Sequence, residues 1–91
     1  MSYEITKNSS DVSKALEKDA GLVLILSQSG FASTASRPLK WRSVQDFDVK
    51  SEKFFTLDGV FYWSSVGIKE VRIYDNQAEA MQLLNSEVEA V

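Results

Sequence analysis

The sequence predicts one α+β domain covering residues 1–91, in which a helix precedes a strongly bent, mainly antiparallel five-stranded sheet and a second helix follows it. Three features carry this prediction: a helix-spaced apolar stripe, an uninterrupted apolar run at residues 22–26, and an Asp58-Gly59 turn between two apolar segments. An open α+β sheet with both helices on one face is the alternative.

The N-terminal helix is predicted from its stripe and its end signals. Apolar residues recur at helical spacing, at Val12, Ala15, Leu16 and Ala20. Residues 9–11 offer N-cap side chains, and Gly21 stands where a glycine commonly ends a helix. Residues 3–6 alternate weakly and are consistent with a short strand before it.

Two strands follow in the prediction, joined by a polar connector. The run 22–26 has no polar face, which is typical of a strand buried on both sides. Residues 27–36 are small and polar, so they are expected to form a loop. Beyond Pro38, a strand with Leu39 and Trp41 on one face would carry Lys40 and Arg42 on the other.

The Asp58-Gly59 pair predicts a tight β-hairpin, because a type I′ turn needs positive φ at both central residues. A loop of those two residues would place Leu57 opposite Val60 and Phe54 opposite Trp63. Sides alternate along a strand, so both faces of the hairpin would be apolar and largely aromatic. Such a ribbon requires barrel closure, burial in an interface, or both.

The C-terminal part is predicted as one strand and one helix. Gly67 interrupts the chain, and residues 68–74 alternate as a strand would. Asn76 with Glu79 has the spacing of a capping box. Met81, Leu84 and Val88 then form the apolar stripe of the second helix.

Histidine and cysteine are both absent from the sequence. The commonest general base and the thiol nucleophile are therefore missing. Asp46 and Asp48 stand two residues apart but supply few oxygens for a calcium ion, and we interpret them as solvated turn charges. We expect no enzymatic activity, no metal and no cofactor.

The net charge of −3 argues against broad, non-specific nucleic-acid binding. No segment is apolar enough for long enough to span a bilayer, and residues 1–10 lack an apolar signal core. We therefore expect a cytoplasmic protein with no membrane partner.

Two sets of residues are candidate binding sites. Basic side chains near an aromatic one can hold single-stranded RNA, and the candidates are Lys40, Arg42, Lys50 and Lys53. The simpler interpretation of Trp41 is that it packs in the core. Aromatic and branched residues of the hairpin and last strand are the candidates for a protein interface, namely Phe54, Phe61, Trp63, Val71 and Ile73.

Two stretches resemble motifs of the Sm and Sm-like small barrels, which fold as a helix followed by five strands. Residues 47–57 are similar to the end of the first Sm motif, in which an apolar residue and an aspartate precede a turn and another strand. Residues 66–73 are similar to the second, with Gly67 at a sharp corner. The resemblance implies rings in which the fourth strand of one copy pairs with the fifth of the next, and a short bound RNA.

The sequence thus supports a non-enzymatic binding module that forms homo-oligomers and binds a protein or a short RNA. A small acidic regulator that docks as a monomer on a larger protein machine is the alternative.

Overall fold

The computed structural model of the protein describes residues 3–28, 39–64 and 68–85. The elements in chain order are β1 (Tyr3–Ile5), α1 (Ser9–Lys18), a 3-10 turn (Ala20–Leu22), β2 (Val23–Gln28), β3 (Leu39–Asp48), β4 (Lys53–Thr56), β5 (Gly59–Tyr62), β6 (Ile68–Tyr74) and α2 (Gln77–Asn85). Most of the predicted connector at 27–36, Gly67 and Val88 lie outside the described residues.

The described strands form one open antiparallel sheet in the order β1-β6-β2-β3-β4-β5. The α+β class is confirmed, but the predicted closure into a barrel is wrong. The sheet has six strands because residues 3–5 pair with β6, with Tyr3 opposite Tyr74. This pairing occupies the outer edge of β6, so β6 is an inner strand and β5 forms the other edge.

The first helix begins and ends close to its predicted bounds. Asn8 is the N-cap, and Thr6 and Asp11 are joined by a 2.9 Å hydrogen bond beside it. The helix stops at Lys18 because Asp19 is extended, and the Asp19 carboxylate accepts a 2.8 Å hydrogen bond from the Gly21 amide. Val12 and Ala15 of the predicted stripe are buried.

The two helices lie on opposite faces of the sheet, which differs from the alternative prediction of an open sheet with both helices on one face. Successive residues of β2 point to opposite faces: Val23 packs with α1 and Leu24 packs with α2. Because β2 is covered on both sides, its prediction as a doubly buried strand is confirmed. We call the side under α1 the inner face and the side under α2 the outer face.

The inner face carries the larger core. Its fully or almost fully buried members come from α1 and from four strands, and they are Val12, Ala15, Val23, Ile25, Val44, Phe47, Phe54 and Val71. Phe47, Phe54 and Trp63 form an aromatic group with ring centroids 4.8 to 5.8 Å apart. This group forms the part of the inner core that lies over β3 and the hairpin.

The hairpin turn lies one residue earlier than predicted. Thr56 is opposite Gly59 and Phe54 is opposite Phe61, so the two loop residues are Leu57 and Asp58. Gly59 has a φ of 138°, while neither loop residue has a positive φ, which excludes the predicted type I′ turn. Moving the turn by one residue shifts each residue's cross-strand partner by two positions. Side chains alternate between the faces with a period of two, so the predicted division of side chains between the two faces still holds.

Candidate functional site

The predicted interface residues lie on the inner face and pack inside a single chain. Phe54 is 0 % exposed and Val71 is 2 % exposed, while Phe61, Trp63 and Ile73 are partly buried against the same core. In this conformation, Phe54 and Val71 have no surface available to a partner. Packing against the chain's own inner core therefore accounts for the aromatic residues on this side of the hairpin.

Arg42 was predicted to contact nucleic acid, but its side chain is buried on the inner face. Its Nη1 donates hydrogen bonds to the Ser27 carbonyl oxygen (3.0 Å) and hydroxyl (2.9 Å). Its Nε lies 3.2 Å from the Asp58 carboxylate without making a hydrogen bond to it, so this contact is an ion pair only. Its guanidinium carbon lies 5.0 Å from the centre of the Phe61 ring. Arg42 thus ties β2 and β3 to the hairpin turn, which is a structural role.

The other three predicted basic residues are spread from the start of β3 to the start of β4. Lys40 lies 3.7 Å from Asp58, whereas Lys53 is opposite Asp48 at the far end of β3. Eight residues of strand separate these ends by about 26 Å. Lys53 also projects to the outer face, where its ammonium lies over the rings of Phe55 and Tyr62. With Lys50 in the turn after β3, these cations do not form one patch.

The two acidic residues considered for a cation are engaged locally. The Asp46 carboxylate accepts a 2.8 Å hydrogen bond from the Phe47 amide. The Asp48 carboxylate accepts from the Lys50 amide (3.2 Å) and from the Ser51 hydroxyl (2.8 Å). Both contacts are of the kind that stabilises turns and strand ends.

The sequence did not single out Arg72, which occupies the outer face between two aromatic rings. Its guanidinium carbon is 4.2 Å from the centre of the Tyr3 ring and 4.6 Å from that of Trp41. Burial lowers the pKa of Arg72, but hydrogen bonds to Tyr74 and Glu70 and the charge of Glu70 outweigh it and raise that pKa above its ordinary value. The stack joins β1, β6 and β3, and confirms that Trp41 is a core residue.

Among the described residues, the outer face of the hairpin groups several exposed apolar side chains together. We define the outer hairpin face as Lys53, Phe55, Val60 and Tyr62, which share one side of β4 and β5. Val60 and Tyr62 are each 48 % exposed, and Leu57 at the adjoining turn is 90 % exposed. Among the described residues, α2 packs against the other half of this side of the sheet and leaves the hairpin uncovered.

The same hairpin ends the sheet. Of the described strands, only β4 pairs with β5, so within the described residues one side of β5 has no backbone partner. The strand consists of Gly59-Val60-Phe61-Tyr62, with no charged residue and no proline. Sheet edges in monomeric proteins are usually protected by charges, prolines, bulges or a covering segment. The outer hairpin face and the β5 edge together are therefore the candidate site.

Comparison with models of protein families, with curated proteins and with solved structures finds no match for this chain. The resemblance to the Sm-like barrels therefore stays a prediction from sequence. In the described part of the chain, no helix is long and apolar enough to cross a membrane.

Proposed function

We propose that this chain is a non-enzymatic protein-binding module that uses the outer hairpin face and the free edge of β5. The observation that carries the proposal is the coincidence of two features in one hairpin. Half-exposed Val60 and Tyr62 lie on the strand whose outer backbone edge has no partner among the described strands. A partner strand added to this edge would gain main-chain hydrogen bonds and apolar contacts together.

A protein partner suits this surface better than RNA does. Single-stranded nucleic acid is held by a continuous positive groove with stacking rings. Here Arg42 is only 5 % exposed, and Lys40 shares Asp58 with it. Lys53 is the one cation on the outer hairpin face, and it already lies over two of that face's rings.

Two of the modes of association predicted from the sequence involve a protein partner. A homo-oligomer would bury the surface against another copy, whereas a monomeric regulator would bury it against a larger protein. Both use the same hairpin, and both leave the inner face and α1 undisturbed.

Site-specific photo-crosslinking tests the proposal. Benzoylphenylalanine is placed at Leu57, beside the outer hairpin face, and in a matched control at Met81, which is 49 % exposed on α2. We expect crosslinked peptides, from this chain or from another protein, at position 57 and far fewer at position 81. The additional substitution Tyr62→Lys should abolish the crosslinks from position 57. Equal capture at both positions, or capture insensitive to Tyr62→Lys, would contradict the proposal.

A further inference from the structure

We infer that the partner of the β5 edge is a second copy of this chain, joined by two-fold antiparallel pairing of β5 with β5. This inference rests on the proposed function and names its partner. It would join two six-stranded sheets into one continuous antiparallel sheet.

The direction of the free backbone groups follows from the hydrogen bonds of the hairpin. The Trp63 amide donates a 2.9 Å hydrogen bond to the Glu52 carbonyl oxygen, so the backbone groups of Trp63 point toward β4. Backbone groups alternate in direction along an antiparallel strand, and the backbone groups of Phe61 and Gly59 therefore also point toward β4. The amides and carbonyls of Val60 and Tyr62 point away from it, into the free edge.

These four groups are self-complementary about a two-fold axis at Phe61. If Phe61 of one copy faces Phe61 of the other, Val60 of each copy lies opposite Tyr62 of the other. Each such pair exchanges two N–H···O=C hydrogen bonds. All four outward groups of each strand are then satisfied, and the symmetric closure leaves no free β5 edge for a third copy.

The side chains of this pairing are also compatible. On the outer face, each Val60 would contact a Tyr62 ring, and such aliphatic–aromatic pairs across strands are favourable. No unpaired charge is brought into the contact, because Lys53 lies over its own aromatic rings and Asp58 is paired with Lys40 and Arg42. Strand β5 itself carries no charged side chain, so pairing two copies places no like charges opposite each other.

The other sheet edge differs in the features that matter for pairing. Strand β1 has only three residues and includes the exposed Glu4, with Lys7 soon after it. Charges on a short edge strand oppose addition of another strand. A symmetric β5–β5 pair is therefore favoured over head-to-tail rings or filaments. Four-residue strands bury little area, so the dimer should be weak.

Sedimentation equilibrium of the purified chain tests this inference, at concentrations from roughly 10 µM to 1 mM, the range in which weak dimers dissociate. The average mass should rise from one chain of 10.2 kDa toward two. Val60→Pro removes an outward amide without touching the β4 ladder, and Tyr62→Lys places a charge in the contact. Both should hold the mass at one chain, and Met81→Lys should behave as the unmodified protein does.

A strict monomer at every concentration, dimers that survive both substitutions, or assembly beyond two chains would overturn the inference. If the protein is monomeric while position 57 still crosslinks specifically to a different protein, the second-copy inference fails and the proposed function stands. If both experiments are negative, both fail. Circular dichroism and urea unfolding of each variant identify any loss of fold.

The register has its own test because the chain contains no cysteine. When the Val60→Cys and Tyr62→Cys variants are mixed under mild oxidation, a disulfide between one chain of each variant should form faster than a disulfide between two chains of the same variant. Preference for like pairs would refute the two-fold register at Phe61.

Discussion

Replacing Asp58 by asparagine tests whether Arg42 is a structural cation. The substitution keeps the size of the side chain but removes the charge that lies 3.2 Å from Arg42 Nε. Arg42 would keep only neutral acceptors, at Ser27 and at the Lys40 carbonyl oxygen (3.3 Å). Its guanidinium cannot reach water instead, because Arg42 is 5 % exposed.

The expected loss is intermediate between a buried and an exposed ion pair. Breaking a fully buried pair costs about 3–5 kcal/mol, whereas exposed pairs contribute about 0–1 kcal/mol. The Asp58 side chain is 47 % exposed, so water already screens part of the attraction. We therefore expect Asp58→Asn to lower the free energy of unfolding by about 1–2 kcal/mol. In a domain of this size, that lowers the melting temperature by about 5–12 °C.

Urea unfolding followed by tryptophan fluorescence measures this loss. Glu17→Gln is the control, because Glu17 is exposed on α1 and makes no ion pair within the described residues; it should change stability by less than about 0.5 kcal/mol. Arg42→Met replaces the buried cation by an apolar chain, and in that background Asp58→Asn should have almost no effect. Equal losses in the two backgrounds, or no loss from Asp58→Asn alone, would refute the reasoning.

Three further substitutions probe the packing. Phe54→Ala removes a fully buried ring that contacts Phe47 and should cost about 3–5 kcal/mol in urea unfolding; a loss below about 1 kcal/mol would contradict its place in the core. Arg72→Met removes the cation between two rings and should cost about 1–2 kcal/mol in thermal unfolding. Gly21→Ala would bring a Cβ within 2.5 Å of Gln77 Nε2, but Gln77 is exposed and its side-chain end can move away, so stability should change by less than about 0.5 kcal/mol; a larger loss in urea unfolding would show that Gln77 is fixed in place.

Local patterns in the sequence determined several elements correctly. The helical stripe located α1, and the continuous apolar run identified β2 as buried on both faces. Asn76 was identified as a helix cap, and its side chain does accept a 2.8 Å hydrogen bond from the Ala78 amide. The alternation of side chains along the two strands also assigned the hairpin residues to the correct faces of the sheet. These features depend on neighbours within a few residues, so spacing alone reports them.

Only the tertiary structure decided how those elements are covered and which charges are free. Pairing of residues 3–5 with β6 joins chain segments about seventy residues apart, and it makes the sheet open with β5 as the edge. Arg42 and Arg72 look alike in the sequence as strand residues, yet one is buried beside Ser27 and Asp58 and the other lies between Tyr3 and Trp41. A long side chain takes its partners from whatever the distant parts of the fold bring next to it, and strand alternation carries no information about that.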